Sequence, residues 1–163
     1  SDKLLPENLD FLYFGGGYPE NFAKELSENN SMKESIREVL KKIGIYAECG
    51  GFIYLTKGLR QIDGTYFDFV GLLDIKIEMK NKLNIKRFGY VKIETVEGIQ
   101  LRAHEFHYSD IYDVKESNLE FKITKANGSS WECGYSRDKL LAGYPHINFY
   151  SNIDFFKKIF MLN

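Results

Sequence analysis

Cysteine is scarce, with only Cys49 and Cys133 in 163 residues. Two cannot build a disulfide framework, and neither stands in a metal-ligand spacing such as C-x-x-C, so no metal site is expected and each thiol is weighed alone. Excess charge is also missing. The 22 basic side chains nearly cancel the 23 acidic ones, and no Lys/Arg run is interleaved with aromatics as a nucleic-acid groove requires, so no nucleic-acid partner is expected. No apolar run approaches the ~20 residues that cross a bilayer, and Ser1-Asp2-Lys3 is not a secretory signal. A soluble, cytoplasmic chain with no membrane partner is the expectation. Linkers, repeats and low-complexity tracts are absent as well, which leaves one globular domain as the default.

What the chain does have is core material: 44% of it is hydrophobic, and its aromatics are mostly Phe and Tyr, which suit strands and packed interiors. The apolar run Leu9 to Phe14 predicts a strand buried on both faces of a parallel sheet, closed by a tight Gly15-Gly16-Gly17 loop. Phe22, Ala23 and Leu26 recur at helical spacing after Pro19. Met32, Ile36, Val39, Leu40 and Ile43 mark a second helix, with Ser31 and Glu34 as a capping box and Gly44 as its stop. Ile45-Tyr46-Ala47 reads as a short strand running into Glu48-Cys49-Gly50-Gly51, with a helix beginning at the glycines. The middle differs. Hairpin signals at Asp63-Gly64, Glu97-Gly98 and Asn127-Gly128, with period-two alternation at Ile75, Ile77, Met79 and at Val91, Ile93, Thr95, predict an antiparallel excursion near residues 62 to 136. Leu140 to Gly143 returns to the parallel core, and Ser151 or Asn152 caps a final helix carrying Phe155, Phe156, Ile159 and Phe160. The expected class is α/β.

A cysteine between a buried strand and a helix N-terminus sits where unpaired N–H groups favour the thiolate, which makes Cys49 a candidate nucleophile. Gly50 and Gly51 suit a strained strand-to-helix turn, and the N–H after the nucleophile can hold an oxyanion. Acyl chemistry at sulfur also needs a proton shuttle, usually histidine. His146 follows a core strand, at the end where open α/β sheets place their sites. His104 and His107 are placed on one strand with their side chains on opposite faces. Glu48 is expected to point away from the thiol, across the strand. Cys133, after Trp131 in a hairpin strand, reads as a packed thiol; Tyr18 and Glu20 shape either a pocket or only the turn.

Three segments in order, Gly15-Gly16-Gly17-Tyr18-Pro19-Glu20, Tyr46-Ala47-Glu48-Cys49-Gly50-Gly51-Phe52-Ile53-Tyr54-Leu55 and His104-Glu105-Phe106-His107-Tyr108-Ser109, followed by His146, resemble the class I (triad-type) glutamine amidotransferase domain of the cobyrinic acid a,c-diamide synthases. The resemblance covers nearly all of residues 1–163. It implies a flavodoxin-like parallel core sheet with helices, and a glutaminase in which Cys49 attacks glutamine and His146 shuttles protons. Gly50, Gly16 and Gly17 would hold the oxyanion, and His104, Glu105 and His107 would lie near the acceptor or behind the site. It further implies that the ammonia passes to an ATP- and Mg-dependent synthetase domain, with a corrin at the interface, for amidation of the a and c carboxylates in cobalamin biosynthesis. The fragment itself would need no cofactor. Alternatives on the same fold are the nickel sirohydrochlorin a,c-diamide and cobyric acid synthases, a cysteine hydrolase or stress protein, or a non-catalytic interaction domain.

The chain departs from the pattern in three ways. Asn148 stands where many such glutaminases carry the third triad member, a Glu two residues after the histidine; Glu105 is a possible substitute, against a structural ion pair as its plainer role. No G-x-x-x-x-G-K-[ST] loop is present for ATP. The usual opening strand-helix-strand unit is missing as well, so an open sheet edge and a homodimer or domain exchange through it are expected.

Overall fold

The computed structural model describes residues 2–161. Its centre is parallel: β1 (Phe11–Phe14) pairs with β2 (Gly44–Glu48), which pairs on its other side with β11 (Leu140–Gly143). Antiparallel strands then extend the same sheet in the order β10 (Ser130–Arg137), β9 (Leu119–Thr124), β6 (Gly89–Thr95), β7 (Gln100–Glu105) and β12 (His146–Ile147). A second sheet has the order β4 (Tyr66–Asp68), β3 (Thr56–Arg60), β5 (Leu73–Met79), β8 (Ser109–Val114). Among the described residues the α-helices are α1 (Ala23–Glu28), α2 (Asn30–Leu40), α3 (Gly50–Leu55) and α4 (Ile153–Phe160).

All three glycine hairpins form where expected. Gly64, Gly98 and Gly128 adopt φ of +89°, +81° and +84° at the turns joining β3 to β4, β6 to β7 and β9 to β10. In β5 and β6 the alternating side chains Ile75, Ile77, Val91, Ile93 and Thr95 face the core.

Only two residues, Tyr144 and Pro145, separate β11 from β12, yet four strands lie between them in the sheet. In a flat sheet that separation is about 24 Å at ~4.8 Å per strand, whereas three residue steps reach at most ~11 Å. The sheet therefore curls until β7 comes round to the end of β11, and His146 is delivered beside the parallel centre.

Several local expectations are corrected. Strand β1 is the open edge that was expected, with nothing among the described residues pairing on its outer side, but it is not buried on both faces, since Tyr13 is exposed. Phe22 is exposed at the end of a 3-10 turn (Pro19–Phe22) rather than in the core. The cap of α2 is Asn29, whose Oδ1 accepts from the Met32 N–H at 3.3 Å, and Ser31 only hydrogen-bonds that side chain. That helix ends at Leu40, and Gly44 opens β2 instead of stopping the helix. Asn152 does cap α4, accepting from Asp154 N and Phe155 N at 3.1 Å.

Candidate active site

Cys49 occupies the turn between β2 and α3 at φ +46°, ψ −107°, a left-handed conformation that costs a side-chain-bearing residue on the order of 1–3 kcal/mol. The surroundings impose it. The Cys49 N–H donates to the Gly143 carbonyl at 2.8 Å, while its own carbonyl accepts from Ile53 N at 2.9 Å and starts the helix. The glycine loop after β1 closes over this turn, with the Gly51 N–H donating to Gly15 O at 3.0 Å. A Cβ on Gly50 would lie 2.3 Å from Gly17 O, and one on Gly51 would lie 2.5 Å from Phe14 O. Backbone packed on backbone is why both positions are glycine.

Cys49 is nearly enclosed, 7% exposed, and its thiol donates to the Phe106 carbonyl at 3.5 Å. Burial pushes the thiol up to about 12, opposed by the Gly50 N–H. Desolvation outweighs the N–H groups at the start of the short helix, which act in the expected direction. The cleft in front of the sulfur is walled by Gly17, Tyr18, Glu20 and Ile53 on one side and by Met79 and Phe106 to Ser109 on the other. Its free space is about 20 Å³, room for one water. Glu20 is half-buried there, and that burial raises its pKa.

The His146 ring lies over Gly16, where a Cβ would come within 2.4 Å of Cε1. Its Nδ1 faces Glu48 Oε2 at 3.8 Å. Partial burial lowers the pKa of His146, and the Glu48 carboxylate opposes that shift. Glu48 is enclosed in the fold and does not face outward. It is 3% exposed, with Oε1 accepting from Tyr46 OH at 2.9 Å and Ile147 N at 2.8 Å, and Oε2 accepting from Tyr13 OH at 2.8 Å.

Strand β7 ends at Glu105, so His104 and His107 do not share a strand. His104 pairs across the seam with His146, ring centroids 6.3 Å apart. His107 is buried, stacked on Tyr144 at 3.8 Å, with Nδ1 against Ser109 O at 2.7 Å and Nε2 against Glu105 Oε1 at 2.9 Å. Glu105 thus anchors the cleft wall and makes no ion pair with His146. Asn148 is exposed and accepts from Tyr150 N at 3.1 Å, so its side-chain oxygen caps the 3-10 turn Phe149–Ser151. Cys133 is buried in β10, its thiol pushed up to about 11.

Glu48, Tyr13 and Tyr46 were not legible as a group, although a signal exists. Tyr46 and Glu48 are two residues apart on one face of β2, and Tyr13 lies opposite Tyr46 in the parallel register. A carboxylate in an otherwise apolar strand needs donors, and those are the nearest.

The fold is that of glutamine amidotransferases. A crystal structure of a glutamine amidotransferase is similar at TM-score 0.69 over 96% of this chain and 80% of its own, with 16% identity. One from Thermotoga maritima gives 0.54 over 87% and 59%, with 19% identity. Residues 1–156 match the CobB/CobQ-like glutamine amidotransferase domain, and the chain belongs to that family. The cobyrinate a,c-diamide synthase of Fusobacterium nucleatum is 45% identical over 161 residues, 98% of this chain, and that of Caldanaerobacter subterraneus is 41% identical over 158 residues, 92% of this chain. The chain spans 36% and 34% of the lengths of these relatives. No helix among the described residues is long and apolar enough to cross a membrane.

Proposed function

We propose that this chain is the glutaminase part of an ATP-dependent cobyrinate a,c-diamide synthase, with Cys49 as nucleophile and His146 as its acid/base partner. The observation that carries the reading is the strained turn at Cys49, whose sulfur opens on a cleft between the glycine loop and the segment Phe106 to Ser109. His146 takes the thiol proton as sulfur attacks the side-chain carbonyl carbon of glutamine. The oxyanion is held by backbone N–H groups of Gly50 and of the Gly16-Gly17 loop, an arrangement worth about 3 kcal/mol in known cases. The carbon–nitrogen bond breaks, and the nitrogen leaves as ammonia with the proton from His146. Water then gives a proton to the same imidazole and cleaves the thioester, releasing glutamate and restoring the thiol.

The names of the relatives favour a corrin acceptor over nickel sirohydrochlorin. The ammonia is consumed by a cytoplasmic synthetase domain of the same polypeptide, which holds the ATP and Mg. Self-association through the open edge of β1 is part of the same proposal; sedimentation as a monomer at high concentration removes it.

Ammonia and glutamate release from glutamine test the central claim. Cys49→Ala is expected to abolish both and Cys133→Ala to retain them, and a glutamine-analogue electrophile should label Cys49 alone. Labelling confined to Cys133, or undiminished hydrolysis by Cys49→Ala, defeats the reading.

A further inference from the structure

We infer that Glu48 is the positioning residue for His146, holding its ring and supporting its charge in place of the triad carboxylate whose usual position Asn148 occupies. The inference deepens the glutaminase reading and rests on it. One carboxylate grips both parts of the same short strand: Oε1 accepts the Ile147 N–H at 2.8 Å, and Oε2 faces the imidazole Nδ1 at 3.8 Å. Two phenols, Tyr13 at 2.8 Å and Tyr46 at 2.9 Å, fix the carboxylate from β1 and β2. All three of these donors are neutral. Among the described residues the one ion-pair partner of Glu48 is His146.

A carboxylate at Nδ1 selects the tautomer that carries its proton there and leaves Nε2 with the lone pair to accept the thiol proton. The 3.8 Å separation exceeds a hydrogen bond, and catalytic contacts are commonly long before substrate binds. The other groups acting on the ring are His104 from β7 and, beyond it, Glu105 and His107. His104 and His107 disfavour the imidazolium; Glu105 favours it but is hydrogen-bonded to His107. Glu48 therefore comes first among the groups that support the charge.

The test uses the whole natural polypeptide that carries this chain, assayed for glutamine hydrolysis across pH. Glu48→Gln keeps the volume and removes the charge. It is expected to lower kcat about 10²-fold with KM within about twofold, and to move the acid limb of kcat/KM to lower pH, because the imidazolium loses its supporting anion. Tyr13→Phe is expected to move the same limb the opposite way, since Oε2 loses a donor and acts on the ring with more of its charge. General structural damage does not produce opposite shifts. A folded Glu48→Gln with the wild-type kcat and limb overturns the inference. If Glu48→Gln fails to fold by circular dichroism, Tyr13→Phe decides alone, and an unmoved or lowered limb overturns it. Cys49→Ala run in parallel separates the two failures. Ammonia release by that variant sinks the glutaminase reading, whereas its loss beside an unaltered Glu48→Gln sinks only the role of Glu48.

Discussion

A thiol raised to about 12 is almost wholly protonated at neutral pH, and its reactivity depends on a base taking the proton at the moment of attack. Alkylation of Cys49 by iodoacetamide without glutamine is therefore expected to be far slower at pH 8 than for free cysteine. Its rate should keep climbing with pH toward about 12, as measured by mass spectrometry of the labelled peptide. A plateau near neutral pH would contradict this. Cys49 and its glycines were readable because the requirement is local: a sharp turn beside a close backbone approach admits few residue types. The environment of Glu48 was not, because its partners Tyr13, Tyr46 and Ile147 come from three strands that meet only through register and curl.

Among the elements, helix ends separate the local pattern from the realised contact. Ser31 and Glu34 have the capping-box spacing, yet Asn29 supplies the cap. Asn29→Ala is expected to cost about 1 kcal/mol in denaturant unfolding, and Ser31→Ala only a few tenths. The reverse order would restore the capping box. Hairpins were legible for the opposite reason, since the positive φ at Gly64, Gly98 and Gly128 is a property of single residues. The second sheet was not. Its central pair, β3 beside β5, is parallel and joined through an intervening strand, and alternation shows which face is buried without showing which strand lies next door.

For the whole molecule, the buried acids with raised pKa set the alkaline limit. Unfolded, Cys49 and Cys133 release their protons near 9.0 and Tyr135 near 10.0; folded, they hold them to about 12, 11 and 12. The folded state thus binds more protons in that window, and stability falls as pH rises from about 9 toward 12. Denaturant midpoints measured from pH 7 to 11 should be level at first and then decline; a midpoint that rises above pH 9 contradicts the assignment. The curl that brings the ends of the large sheet together has its own outcome. The imidazole hangs on the final stitch of that closure, two residues wide, while the sulfur is rooted in the fully buried β2. Warming should fray the stitch first and abolish the proposed glutamine hydrolysis while the rest of the body is still intact.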